Sequence, residues 1–157
     1  MKINGHITVV AERLDTGAKQ VVCDQDNLWL DQGRRNLAVN TIGIINPPNY
    51  AFIVLSDSTD APVVTNTAIP GTIYTYSGQS VSPTSTYALL GTAVTRKMYQ
   101  LVPAGVRTIN TIGVAKAADG TGAWCYTKLL NGIAQDALTQ LHIYYSITIS
   151  PYPGVIA

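Results

Sequence analysis

Near its C-terminus the chain reads Leu138-Thr139-Gln140-Leu141-His142-Ile143-Tyr144-Tyr145-Ser146-Ile147-Thr148-Ile149-Ser150. From Leu141 onward apolar and polar residues alternate, which is the period of two that directs successive side chains to opposite faces of a β-strand. β-Branched and aromatic residues suit a half-buried pleated surface. The pattern therefore predicts a central strand of an antiparallel sheet. Its core-facing residues are predicted to be Ile143, Tyr145, Ile147 and Ile149.

Shorter alternations and turn residues elsewhere in the chain predict further strands. The turns at Asp15-Thr16-Gly17-Ala18 and Asp119-Gly120 each separate two alternating runs and indicate hairpins. The polar run Asp24-Gln25-Asp26-Asn27 is expected to end the second strand. Tyr50–Leu55 is short and continuously apolar, as in a strand buried on both faces. The segment 63–86 is rich in Thr, Ser, Gly and Pro and predicts one or two weak edge strands.

One helix is expected, near residues 31–42. Asp31 suits its N-cap, and apolar residues recur at helical spacing up to Gly43, a residue type common after a helix C-terminus. Eight or so strands with a single short helix predict an all-β protein, with residues 1–157 forming one β-sandwich or jelly-roll domain.

Charged residues make up 12% of the chain, and the formal net charge is +1. Because nucleic acids and anionic membranes attract clusters of Lys and Arg, neither is an expected partner. A membrane-spanning helix needs about 20 consecutive apolar residues, and the sequence contains no such run. The N-terminus lacks the apolar core of a signal peptide, so synthesis in the cytoplasm is expected. The low charge indicates either a surface covered by partners or one rich in small polar residues.

The sequence offers little catalytic chemistry. His6 and His142 are the two histidines, and neither has a neighbouring carboxylate or cysteine at the spacing of a metal site or a nucleophile–base pair. Glu12 is the one glutamate, and Cys23 and Cys125 are too far apart to indicate a disulfide framework. We therefore expect no enzymatic activity, no catalytic residue, no cofactor and no bound metal.

Nine tyrosines suggest a different kind of function. Tyrosine gives large, rigid contact area with a polar tip, which both protein interfaces and sugar-binding surfaces use. Cross-strand packing inside the sheet is the alternative role for these rings. The residues predicted to lie at an interface are Tyr74, Tyr76, His142 and Tyr144.

Near its start the chain contains, in order, Asn4-Gly5-His6-Ile7, then Asp15-Thr16-Gly17, then Asn27-Leu28-Trp29-Leu30-Asp31-Gln32-Gly33-Arg34-Arg35-Asn36-Leu37-Ala38. This succession resembles the opening of the small structural proteins of tailed bacteriophages. There, a strand ending in a Thr-Gly turn is followed by an Asn-Leu step and a Gly-Arg helix start. Val106-Arg107-Thr108-Ile109-Asn110-Thr111-Ile112-Gly113 is similar to a strand near their end.

The resemblance implies a component of the virion, either a capsid decoration (cement) protein or a tail or fibre-attachment protein. It carries over no catalytic residues. The implied partners are copies of the chain itself, with a trimer as one closed arrangement, and the major capsid protein or tail proteins. A carbohydrate-binding module is the competing class, because exposed Tyr and Trp on a jelly roll would serve it equally well.

Overall fold

The computed structural model describes residues 2–31, 33, 52–80, 84–90 and 93–150, and its regular elements are β-strands. The strands are β1 (Lys2–Arg13), β2 (Lys19–Trp29), β3 (Phe52–Ser56), β4 (Ile73–Tyr74), β5 (Thr84–Leu90), β6 (Ala93–Val102), β7 (Arg107–Ala115), β8 (Ala123–Gln135) and β9 (Thr139–Ser150). The predicted all-β class is confirmed. The helix predicted near residues 31–42 lies, apart from Asp31 and Gly33, outside the described residues.

All nine strands belong to one antiparallel sheet in the order β4-β3-β7-β8-β2-β1-β9-β6-β5. β2 joins its two halves, because most of its length pairs with β1 while Leu28 and Trp29 pair with β8. Hydrogen bonding thus defines a single curled sheet, whereas the sequence predicted the separate sheets of a sandwich or jelly roll.

The curl brings the two halves of the sheet face to face over a hydrophobic core, which is the larger of two clusters of buried apolar residues in the described structure. Across this core the Cys125 Sγ on β8 lies 3.2 Å from the Tyr145 hydroxyl on β9. The segment after β4 links the outer ends of the two halves, since the Tyr76 hydroxyl donates to the carbonyl of Ile53 on β3. In the same segment, Gly78 accepts a hydrogen bond from Gln100 on β6.

β9 is the central strand that the alternation predicted. It pairs with β1 along its whole length and with β6 on its other side. Ile143 is fully buried, Tyr145 is 1% exposed and Ile147 is 7% exposed, so the predicted register is confirmed for these three residues. The side chain of Ile149 lies outside the described part of the structure.

The prediction that β2 ends at the polar run 24–27 is wrong, because the strand continues to Trp29. Asp24 and Asp26 lie on the solvent side of β2, where both carboxylates meet His6 on β1. A polar run that alternates with partly buried residues is compatible with a strand whose outer face is wet. The sequence pattern of β2 did not reveal that the strand continues, because the residue that contacts Asp24 and Asp26 is His6 on the neighbouring strand β1.

The other strand predictions agree with the structure in most respects. Ile53, Val54 and Leu55 of β3 are fully buried, as their continuous apolar run indicated. The two edges of the sheet are β4 and β5. β4 lies within the segment 63–86, in which weak edge strands were predicted, and β5 begins inside that segment at Thr84 and extends beyond it to Leu90.

Gly5 on β1 lies directly against the side chain of Asn27 on β2. It pairs with Asn27, and a Cβ at position 5 would overlap the Asn27 carboxamide, 2.6 Å from its Cγ. Both amide atoms of Asn27 are buried, so the carboxamide has little room to move away. Glycine is therefore required here for the close approach of the two strands.

Candidate functional site

The outer face of β1, β9 and β6 carries the most organised group of polar and aromatic side chains in the described structure. Strand register sets two rows across these strands. One row is Thr8, Tyr144 and Tyr99, and the other is His6, Ser146 and Lys97. Because side chains at i and i+2 share a face, the rows are about 6.6 Å apart along the strands.

His142 is the centre of a hydrogen-bonded chain at one end of this face. Its Nε2 lies 2.6 Å from Glu12 Oε2, and its Nδ1 lies 2.7 Å from the Tyr99 hydroxyl. Gln140 donates to the same Glu12 oxygen at 2.8 Å. The hydrogen bond from His142, followed by that from Gln140, lowers the pKa of Glu12. The carboxylate is therefore ionised and fixes the imidazole, which in turn fixes Tyr99.

The proton on His142 decides what Tyr99 offers to a ligand. A carboxylate only accepts hydrogen bonds, so Nε2 carries a proton. With a neutral imidazole, Nδ1 accepts the Tyr99 proton and the phenol oxygen can only accept from a ligand. With an imidazolium, Nδ1 donates to that oxygen and the hydroxyl proton is free for another acceptor.

The aromatic rings beside His142 form a cluster that is open to solvent. Tyr99 stacks on His142 with ring centroids 5.9 Å apart and an interplanar angle of 27°. On its other side it meets Tyr144 at 5.2 Å and 46°. Tyr144 is 47% exposed. An aromatic surface of this kind combines an apolar face with hydroxyl groups at its edge.

His6 is held between two carboxylates on β2. Its Nδ1 lies 2.7 Å from Asp26 and its Nε2 lies 2.5 Å from Asp24. Only the doubly protonated imidazolium can donate to both oxygens at once. The hydrogen bond to Asp26, followed by that to Asp24, raises the pKa of His6, and the hydrogen bond from His6 lowers the pKa of Asp24.

A groove of about 440 Å³ lies over the two rows. Its outward-facing lining consists of His6, Thr8, Lys97, Tyr99, Tyr144 and Ser146. We call this feature the outer groove. Its volume is in the range of sites for small ligands.

The structure brings together two of the four residues predicted at an interface. His142 and Tyr144 share the outer face, and both neighbour Tyr99. Tyr74 is half-buried on edge strand β4. Tyr76 is instead 8% exposed, with its hydroxyl bonded inside the protein to Ile53, and burial raises its pKa. The position of Tyr76 therefore corrects the expectation that it faces a partner.

Sequence reasoning missed Glu12, Tyr99 and His6 as members of this site. Alternation along β6 does place Tyr99 on the polar side with Lys97, which is the signal that was present. What no local pattern contains is the neighbour relation, since Glu12 and His142 are 130 positions apart.

Within the described ranges, no group of three or more His, Cys, Asp or Glu side chains could hold a metal ion. The same part of the chain contains no helix of sufficient length and hydrophobicity to cross a membrane. The arrangement can bind a ligand through stacking and hydrogen bonds, and it can hold a second ring proton on His6 between Asp24 and Asp26. The expectation that the protein uses no cofactor remains a prediction.

Comparison with known proteins found no relative. No protein-family model matches the chain, and no curated protein or solved structure matches it either. The function is therefore inferred from the outer groove, the sheet edges and the sequence resemblance.

Proposed function

We propose that the chain is a structural protein of a tailed-bacteriophage virion, and that it acts as a capsid decoration (cement) protein which binds and stabilises the assembled shell. The proposal combines the sequence resemblance with a surface suited to assembly. Of the four resembling segments, 4–7 lies on β1, Asp15-Thr16-Gly17 lies at the β1–β2 turn, and 106–113 falls on β7 from Arg107 onward. The segment 27–38 contributes its first three residues to the end of β2.

The observation that carries the proposal is the edge strand β5. Its residues Thr-Ser-Thr-Tyr-Ala-Leu-Leu all pair with β6 without a register shift. On its other side β5 has no strand partner among the described residues. Soluble proteins usually protect such an edge with charges, proline, a bulge or a short strand, and β5 has none of these features. The opposite edge, β4, contains two residues.

A second copy of the chain is the partner that fits this edge. Two β5 strands related by a twofold axis would pair antiparallel, and the same bonds would satisfy both edges. A trimer would need a second, unlike surface on each copy. Edge pairing therefore favours dimeric contacts between neighbouring subunits on a shell.

The first test introduces a charge into β5. Ala88→Lys should convert the isolated protein to monomers, measured by sedimentation velocity, and should reduce its binding to shells that lack it. Asn131→Lys is the matched control, because it adds the same charge at an exposed position on β8, an interior strand. A wild-type protein that stays monomeric at high concentration, or equal behaviour of the two variants, would contradict edge pairing.

The second test is the salt dependence of attachment. Only 19 side chains carry a formal charge, so we expect the contact with the shell to consist mainly of hydrogen bonds and tyrosine packing. Charged contacts are screened over about 10 Å at 0.1 M salt. The amount bound to particles should therefore change little across a wide range of sodium chloride. Release at moderate salt would contradict this proposal.

The alternative position for this protein in the virion is the tail or the fibre-attachment region. Gold-labelled antibody on purified particles distinguishes label spread over the head from label at the tail.

A carbohydrate-binding module is the candidate from a different class, and the outer groove with Tyr99 and Tyr144 is the observation that favours it.

A further inference from the structure

We propose that the outer groove is a saccharide-binding site for a neutral oligosaccharide, whether or not the protein also assembles on a shell. A cement contact through β5 does not require this groove, so the inference goes beyond the proposed function.

The two rows of the outer groove differ in chemistry in the way a sugar ring requires. The row of Thr8, Tyr144 and Tyr99 presents two aromatic rings. The neighbouring row presents the Ser146 hydroxyl and the Lys97 ammonium group, with His6 at the β1 end. A pyranose has one apolar C–H face and an edge of hydroxyl groups. Its C–H face can stack on Tyr144 while its hydroxyls reach the polar row.

The aromatic part of the site is held in place before a ligand arrives. Tyr99 is fixed by its 2.7 Å hydrogen bond to His142, which is itself fixed by Glu12. Tyr99 and Tyr144 meet at 46°, so neither ring covers the face of the other completely. Preorganised side chains lose less conformational entropy on binding than mobile ones.

The charges around the groove favour a neutral ligand over an anionic one. Lys97 and the His6 imidazolium are positive, but His6 is already paired with Asp24 and Asp26. The four groups together sum to zero formal charge. A phosphate or nucleic-acid site would need a surplus of Lys and Arg. The volume of about 440 Å³ fits a ligand of a few sugar rings better than a protein surface.

The test starts with the full-length protein on an array of immobilised neutral and acidic oligosaccharides, including bacterial surface glycans. We expect at least one neutral glycan to bind, and we then titrate that glycan in solution with the protein by NMR. No bound glycan would overturn the proposal. Binding of acidic glycans alone would overturn the neutral ligand class.

Variants locate the binding in the groove. Tyr144→Ala should weaken the affinity at least about tenfold, whereas Tyr144→Phe should keep it within about threefold, because stacking needs the ring. Leu130→Ala is the control, since Leu130 is 85% exposed on β8. Circular dichroism checks that each variant is folded. Unchanged affinity in a folded Tyr144→Ala variant would overturn the location.

The same variants separate this inference from the proposed function. Ala88→Lys should leave glycan affinity unchanged, and Tyr144→Ala should leave the oligomeric state unchanged. Loss of glycan binding in Ala88→Lys would contradict an independent groove.

Discussion

Replacing Gly5 by alanine tests the closest approach between β1 and β2. The added Cβ would overlap the Asn27 carboxamide, lying 2.8 Å from its Nδ2. Overpacking of a well-filled interior costs about 1–3 kcal/mol. For a domain of this size 1 kcal/mol shifts the melting temperature by about 3 °C, so we expect a decrease of about 3–9 °C.

A double-mutant cycle shows whether the overlap is the cause. Asn27→Ala removes the three atoms nearest to the added Cβ. In that background Gly5→Ala should be neutral or stabilise by up to about 1 kcal/mol, because alanine loses less backbone entropy than glycine. The intrinsic cost of Asn27→Ala cancels in the cycle. Differential scanning calorimetry and urea unfolding give the four free energies of unfolding. Additive effects, with a coupling below about 0.5 kcal/mol, would refute the close-contact explanation.

Three other predictions concern the core, the pH dependence and the thiols. Ile143→Ala should lower the free energy of unfolding in urea by about 2–5 kcal/mol, because the Ile143 side chain is fully buried. Tyr144→Ala should lower it by much less, because the Tyr144 side chain is 47% exposed. Hydrogen bonds to Asp26 and then Asp24 raise the pKa of His6 above 6.5, so the stability that His6 contributes is complete below that pH and is lost as the pH rises through the folded-state pKa. His6→Gln should therefore have a lower free energy of unfolding than wild type just below pH 6.5, and urea unfolding over a pH series should show this difference shrinking as the pH rises through the folded-state pKa. Burial raises the pKa of the Cys23 and Cys125 thiols to about 11. A colorimetric disulfide reagent should therefore react with these thiols at neutral pH only as fast as the protein unfolds. A rapid burst of reaction would contradict their burial.

The sequence was most informative where a strand has one wet and one buried face. β9 was predicted with the correct register because five apolar residues alternate with polar ones. A shift of the register by one residue would have exposed all five apolar side chains to solvent. β3 was equally clear for the opposite reason, since its apolar run is buried on both sides. In these strands the local pattern and the final environment agree.

The misjudged features depend on contacts between distant segments. A run such as Asp24-Gln25-Asp26-Asn27 has the composition of a loop, and only His6 on the adjacent strand makes it the outer face of β2. The single curled sheet follows from β2 pairing with both β1 and β8. The chain linking Glu12, His142 and Tyr99 exists because β9 lies between β1 and β6. Periodicity predicts strands and faces, but it does not predict neighbours in a sheet.

The pairing of β1 with β9 has a consequence for synthesis of the protein. β1 ends at Arg13, whereas β9, its second neighbour in the sheet, begins only at Thr139 and is synthesised later. At about 5–20 residues per second, roughly 6–25 s of translation separate the two strands. Throughout that time the β1–β2 hairpin exposes the edge that β9 will cover, so the nascent chain is vulnerable to pairing with other nascent chains until β9 is made.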